Sequence, residues 1–425
     1  MTTASSRHGF FYGWWVLAGS VVAVALGSGV SFWSFGLHVD PLETEFGWSR
    51  AEVTGGFSVS LLISGISGPL VGRWADVSGP RRVILVGAVL TAVTYLLLAF
   101  VDSLWQWYLF LSINAFFRQF ILFIPFQAIV SRWFDRKRGL AVGILGTGFS
   151  AGGFVVVPLM RVVIDEFGWA GSFIFSAIIT AAYFIPFAVL FLRNSPADVN
   201  TYPDGIQPAA TSGPYTPPAM TGMTLAQATR TPFFWLISLA LMFFFFGMFG
   251  MLVHLVPLYE SIGVARSTAA NLVAIAAGLG MIARLSMGLI ADRIDRMERG
   301  AMGLILMLIG ATAALLVDSG TAGIGVFIAL WVIGSGGGPL LEPLLLPRAF
   351  GLSHFGAILG TVGVVETFGL IASPFIAGVI YDETGSYDLV LVMLIGAFSM
   401  AFVLFGIASR MKLPIESREP VSAQA

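Results

Sequence analysis

Long apolar runs alternate along this chain with short polar or turn-rich breaks, and the runs recur at a telling length. A hydrocarbon layer about 30 Å thick is crossed by about 20 apolar residues in an α-helix. Twelve such stretches are predicted, over 12–37, 53–72, 83–101, 104–130, 139–163 and 172–192 in the first half, and over 233–258, 269–291, 301–317, 323–346, 355–380 and 389–408 in the second. The fold class expected is an all-α membrane protein that crosses the bilayer repeatedly.

Composition removes the alternatives. Of 425 residues, 57% are hydrophobic and 11% charged, with 37 Phe and 11 Trp and a mean hydropathy of +0.89. Soluble domains carry about 25% charged residues, so most soluble enzymes are excluded and no enzyme is expected. Net charge is −1, from 22 Lys and Arg against 23 Asp and Glu, which gives nucleic acid nothing to bind. There is no cysteine, and the four His lack ligand spacing, so a metal centre is not expected. No GxxxxGK[ST] loop occurs, so no nucleotide partner or other cofactor is expected, and any transport runs on gradients.

Lys and Arg in short loops remain on the cytoplasmic side. With both termini inside, that side holds Arg7, Arg73, Arg81, Arg82, Arg132, Arg136, Lys137, Arg138, Arg193, Arg230, Arg293, Arg296, Arg299, Arg348, Arg410, Lys412 and Arg418. Arg50, Arg161 and Arg266 fall outside, while Arg118 and Arg284 lie within helices. Met1–Gly9 has no cleavage site ahead of the first apolar run and reads as a cytoplasmic tail. Residues 193–232, with Pro203-Asp204-Gly205 and Pro217-Pro218, read as a linker without a packed element of its own. Gly72-Arg-Trp-Ala-Asp76-Val-Ser-Gly79-Pro-Arg81-Arg82 has a counterpart in Gly288-Leu-Ile-Ala-Asp292-Arg293-Ile-Asp295-Arg296. Two six-helix halves are therefore expected, 1–192 and 233–425, with a cavity between them.

The first of these loops resembles the signature of the major facilitator superfamily, and the resemblance runs along the whole chain. It implies that fold. Physically, Asp76 and Asp292 can accept from helix N-terminal amides and pair with Arg81, Arg82 and Arg293, forming a cytoplasmic latch that breaks when the halves rock. The plainer alternative is that these charges only mark the cytoplasmic face. Within the superfamily, three stretches resemble the monocarboxylate transporters and their bacterial oxalate/formate antiporter relatives. They are Tyr12-Gly13-Trp14-Trp15, the run from Trp133-Phe134-Asp135 through Gly143, and Phe350-Gly351 together with Tyr381-Asp382-Glu383-Thr384-Gly385-Ser386-Tyr387. One departure is Tyr12, where animal members place an acid.

A charge at mid-bilayer costs about 3 kcal/mol or more, so each one there is a functional candidate. Arg284 has Ala277, Gly280 and Gly288 on its own face, which predicts open space beside it. By position it resembles the arginine that binds the substrate carboxylate in both transporter families, and a guanidinium fork suits that ligand. The acid that animal members carry one turn earlier is Gly280 here. Arg118 and Asn114 would add polarity from the first half. Glu366 is the deepest acid and the proton-coupling candidate, where oxalate-transporting relatives hold a lysine; the alternative is a permanent ion pair with an arginine. His254 resembles a histidine of bacterial monocarboxylate carriers; it is either a proton or substrate contact or a side chain hydrogen-bonded to a neighbour. Glu342 is expected to pair with Arg348 near the cytoplasmic end and to stay out of the site.

The reading is a secondary transporter of small organic anions, a proton-coupled monocarboxylate symporter working by alternating access. Its partners would be a small carboxylate, protons and membrane lipid, and its location the plasma membrane, the inner membrane of a bacterium. A dicarboxylate carrier or oxalate/formate-type antiporter, with one carboxylate on each of Arg118 and Arg284, is the first alternative; a hydrophobic drug efflux pump and a transporter-like receptor are the others.

Overall fold

The computed structural model describes residues 10–207, 220–318 and 320–416. Arg7 and the expected tail Met1–Gly9, Pro217-Pro218, and Arg418 lie outside them. Among the described residues, eleven continuous helical stretches are long and apolar enough to cross a membrane. They are α1 (Tyr12–Trp33), α2 (Arg50–Ser78), α3 (Pro80–Leu98), α4 (Leu104–Trp133), the stretch Arg138–Phe191, α7 (Pro232–Ser261), α8 (Arg266–Ala291), α9 (Met297–Val317), α10 (Thr321–Phe350), α11 (Phe355–Thr384) and α12 (Asp388–Ala408).

The stretch Arg138–Phe191 has 54 residues, about 80 Å of helix at 1.5 Å per residue and far more than one bilayer. It is two crossings joined at Gly168, whose φ of 71° and ψ of 176° no helix contains. Contacts with α1 show the reversal. A Cβ on Gly148 would meet Val21, and one on Gly29 would meet Val156, so 138–167 (α5) runs parallel to α1. Tyr12 donates to the Phe191 carbonyl and Tyr183 to that of Gly19, so 169–191 (α6) runs antiparallel to it. Twelve crossings result, as the apolar pattern predicts.

Helix starts follow local chemistry. Ser49 and Glu52 cap each other at the head of α2, Pro80 opens α3 behind Gly79, and the Thr231 hydroxyl accepts from the Phe234 amide ahead of α7. Three of the predicted helices are interrupted. α1 gives way to a 3-10 turn at Phe35–His38; α4 breaks at Gln119–Ile121, directly after Arg118; and α10 breaks at Gly338–Leu340, four residues ahead of Glu342 when counted from Gly338. Pro125 and Pro339 explain the last two, since a proline ring displaces the carbonyl four residues back and offers it no N–H.

Lipid tails are as apolar as Leu, so helix association depends on close backbone contact. Two crossings between residues of the first and second halves supply it. α2 meets α11 where a Cβ on Gly72 would lie 1.8 Å from the Gly356 oxygen and one on Gly360 2.2 Å from that of Gly68. α5 meets α8 where a Cβ on Gly139 would lie 2.4 Å from the Gly288 oxygen. Gly288 is thus closed against α5, which corrects the open space expected beside it. Gly280 fulfils that expectation, with no atom within 4 Å of a Cβ placed there.

The segment between α6 and α7 is more ordered than its prolines suggest. It forms 3-10 turns at Pro196–Val199 and Pro203–Gly205 and a short helix at Leu225–Ala228. The Asp204 carboxylate accepts from the amides of Asp135 and Arg136 at 3.0 and 2.7 Å, and Met223 donates to the Phe350 carbonyl at 2.7 Å.

Candidate substrate site

Arg284 projects from the middle of α8 toward α5. Its Nη1 donates to the Gly146 carbonyl at 2.8 Å and to the Ser150 hydroxyl at 3.2 Å. Nε is buried and has no partner. Among the described residues no carboxylate lies within ion-pair distance of it. A guanidinium in the membrane held by neutral acceptors keeps most of its charge uncompensated, which makes it chemically able to accept an anion. On the adjoining stripe of α5, Phe149 packs with Phe32, Trp33 and Phe123, and Phe32 packs with Phe57. An apolar wall therefore stands beside the helix face that meets Arg284.

Arg118 is 7% exposed, with Nη2 3.4 Å from the Ser64 hydroxyl, the Tyr95 hydroxyl beside it and Nε without a partner. It lines a cavity of about 20 Å³ together with Ser31, His38, Tyr95 and Asn114, room for about one water. Asn114 donates to the Thr94 hydroxyl at 3.0 Å. Every residue lining this cavity precedes α7, so Arg118 and Arg284 do not share it.

Glu366 is 8% exposed and forms no ion pair among the described residues. Its Oε1 is buried and has no hydrogen-bond partner. The expected Glu342–Arg348 pair is absent among the described residues; Arg348 donates to the carbonyls of Ile294 and Ala291 at the end of α8, at 2.5 and 3.3 Å. Nothing in the sequence spacing said which way the Glu342 side chain turns.

His254 has both ring nitrogens engaged. Nε2 lies 2.9 Å from the Pro374 carbonyl and Nδ1 3.3 Å from the Tyr387 hydroxyl. A carbonyl only accepts, so Nε2 carries the hydrogen and Nδ1 accepts from Tyr387. His254 thus clips α7 to α11. His254→Gln should cost about 1–2 kcal/mol of stability and leave the pH profile of uptake unchanged, which thermal unfolding in detergent and a pH series of uptake would check.

The two repeated loops place their aspartates alike. Asp76 accepts from the amides of Gly356 and Ala357 at 2.9 and 2.8 Å, at the head of α11. Asp292 accepts from those of Gly139 and Leu140 at 2.5 and 3.1 Å, at the head of α5. Burial pushes the Asp292 carboxyl above its ordinary range while the two amides pull it down. The arginines depart from expectation. Arg81 donates to the Ala188 and Val189 carbonyls, both at 2.7 Å, closing the end of α6. Arg82 and Arg293 are exposed. The cation beside Asp76 is Arg132, at 3.8 Å.

His38 carries no sequence signal and is buried under Phe173, which stacks on its ring. Nδ1 lies 3.0 Å from the Ser34 carbonyl and Nε2 2.8 Å from the Ser172 hydroxyl. Burial lowers its pKa to about 4, partly offset by hydrogen bonds to the backbone of Ser34 and Phe35. The unfolded value is about 6.5, so the fold binds this proton less well than the unfolded chain. Its stabilising contribution is complete above about pH 6.5 and is lost as pH falls toward about 4. His38→Asn should flatten acid destabilisation across that window in a thermal-unfolding pH series.

Twelve crossings with breaks beside charged residues, and mid-membrane arginines without counter-ions, define a polytopic carrier of solutes. Residues 21–347 match the profile of the Major Facilitator Superfamily, and the chain belongs to that family. It is similar to monocarboxylate transporter 11 of Homo sapiens, 29% identical over 409 residues that span 88% of this chain and 79% of the relative. Monocarboxylate transporter 13 of Bos taurus is 26% identical, spanning 92% and 87%. Among solved structures, the fold matches the proton:xylose symporter XylE with a TM-score of 0.68 at 13% identity over 94% of both chains. The crystal structure of a human organic anion transporter matches with a TM-score of 0.63 at 16% identity, over 93% of this chain and 98% of that one. The protein is a multi-pass membrane transporter related to the monocarboxylate transporters, and these relatives are not enzymes.

Proposed function

We propose that this transporter carries small monocarboxylates together with protons by alternating access, the units 1–192 and 233–425 rocking about the linker 193–232. The observation that carries the reading is Arg284, a mid-membrane guanidinium whose partners among the described residues are a carbonyl and a hydroxyl. It binds the carboxylate, and the aromatic stripe around Phe149 receives the apolar body of the acid. Glu366 takes the proton. Arg118 and Asn114 give the first half its polarity, and the engaged nitrogens of His254 favour a structural role for that residue. Asp76 and Asp292 serve as the cytoplasmic latch, with Arg132 as the neighbouring cation. Separation of Arg118 from Arg284 by distinct surroundings favours a monoanion over a dianion clamp. Placement in a bacterial inner membrane rests on the absence of cysteine and the short linker; the relatives named above are animal proteins.

The test is uptake of labelled lactate into proteoliposomes under an inward proton gradient, with pyruvate, formate, malonate and oxalate as competitors. Stimulation by the gradient and competition from monoacids alone is the expected result. Gradient-independent exchange competed best by the diacids would replace the reading with an antiporter.

A further inference from the structure

Arg118 is a buried cation with no charge to balance it. It sits at the midpoint of the 30-residue α4, too far from either interface for its head to reach water, and it is 7% exposed. Among the described residues no carboxylate lies within ion-pair distance of it. Its contacts with the protein are thin. The Ser64 hydroxyl gives its own hydrogen to the Ala115 carbonyl at 3.3 Å and receives Arg118 Nη2 at a long 3.4 Å, while Nε is buried without a partner. A charge left in this way in a low-dielectric interior is costly unless something else meets it.

The cavity that Arg118 lines is suited to that role. Its volume is about 20 Å³, and the rest of its polar lining comes from Ser31, His38, Tyr95 and Asn114, with no acid. The orientation of Asn114 is fixed: the Thr94 hydroxyl donates to the Thr91 carbonyl at 2.9 Å and so accepts from Asn114 Nδ2 at 3.0 Å, which leaves one amide hydrogen over. Both His38 nitrogens are engaged with Ser34 and Ser172, and the Ser31 hydroxyl donates to the Gly27 carbonyl at 2.6 Å. Hydrogens remain to be given by Arg118, by Asn114 and by the rotatable Tyr95 hydroxyl.

We propose that one halide-sized anion, chloride in the cell, occupies this cavity as the counter-ion of Arg118. A water would satisfy the donors and leave the charge. A halide meets both, and within an otherwise apolar lining the pairing is stronger than at a surface. The room is about that of one water, which excludes even formate and makes the site separate from the carboxylate site at Arg284. Held by Tyr95 of α3 and by Asn114 and Arg118 of α4, the ion fastens those two helices just ahead of the break at Gln119–Ile121.

Thermal unfolding of the purified full chain in detergent, with sodium gluconate exchanged for chloride or bromide at constant ionic strength, reads the site without relying on transport. The expected result is a saturable rise of about 3 °C at a halide concentration 100-fold above the dissociation constant, retained by Arg284→Ala and lost in Arg118→Gln. Ser31→Val keeps the arginine and fills the cavity, so it should lose the rise as well, which covers the case of Arg118→Gln failing to fold. Crystals of the wild type soaked in bromide locate the ion with no variant at all: an anomalous peak is expected among Arg118, Tyr95 and Asn114. Absence of that peak would overturn the proposal and leave water as the occupant. A rise that Arg284→Ala abolishes would overturn it too, because the halide would then sit in the carboxylate site. So would a rise that formate competes away.

Discussion

Arg284→Ala is expected to abolish saturable uptake of labelled lactate, and Arg284→Lys to reduce it severely. The alanine variant removes the one charged donor aimed from α8 into the region between α5 and α8. A hydrogen-bonded charge pair in a desolvated site is worth about 2–5 kcal/mol when one partner is truncated, or about 30- to several-thousand-fold in affinity. Lysine keeps the charge but loses the planar fork that meets both carboxylate oxygens. Loss of the contacts to Gly146 and Ser150 should cost little stability, since both acceptors lie on a helix that packs independently on α8 through Gly139 and Gly288. Thermal unfolding in detergent separates a folded, inactive variant from a misfolded one. Wild-type-like uptake by Arg284→Ala would remove the central claim.

Asp76→Asn combined with Asp292→Asn is expected to open the cytoplasmic side. Each aspartate holds two amides at the head of a helix from the other end of the chain, an arrangement worth about 0.5–2 kcal/mol per cap. Asparagine retains one acceptor and loses the charge, so the double variant should favour the open form by about 10-fold or more. The chain lacks cysteine, so a single introduced thiol reports without background. Ser131 is buried and lines a cytoplasmic cavity of about 480 Å³ between Arg132, Arg138 and the linker turn at Pro196. Labelling of Ser131→Cys by a bulky maleimide should accelerate by a similar factor in the double variant. Unchanged labelling would mean that the glycine crossings alone keep this side closed.

How much of this was legible beforehand differs by kind of feature. Twelve crossings were readable because the bilayer fixes helix length. The turn at Gly168 was readable from the polar gap around Asp165 and Glu166, even though the helix is continuous there by hydrogen bonding. That each repeated aspartate meets the head of a helix followed from the repeated loop. Which arginine lies beside Asp76 did not, because Arg81 and Arg132 sit within reach of the same region and sequence spacing does not report side-chain direction. The breaks in α4 and α10 escaped notice because proline is tolerated in membrane helices and apolar periodicity continues straight through. Glu342 was misjudged and His38 missed for a common reason: partners across the bundle decide each, Arg348 turning to the end of α8 in one case and Ser172 with Phe173 meeting His38 in the other.

The paired aspartate caps have a further consequence for the solvent. If these contacts part as the proposed latch requires, four backbone amides, those of Gly139, Leu140, Gly356 and Ala357, lose their acceptors at once. Only water can replace the carboxylates there, so the cleft must wet as it parts. Opening is then a hydration step as much as a hinge motion, and its rate answers to osmotic stress from solutes too large to enter the cleft.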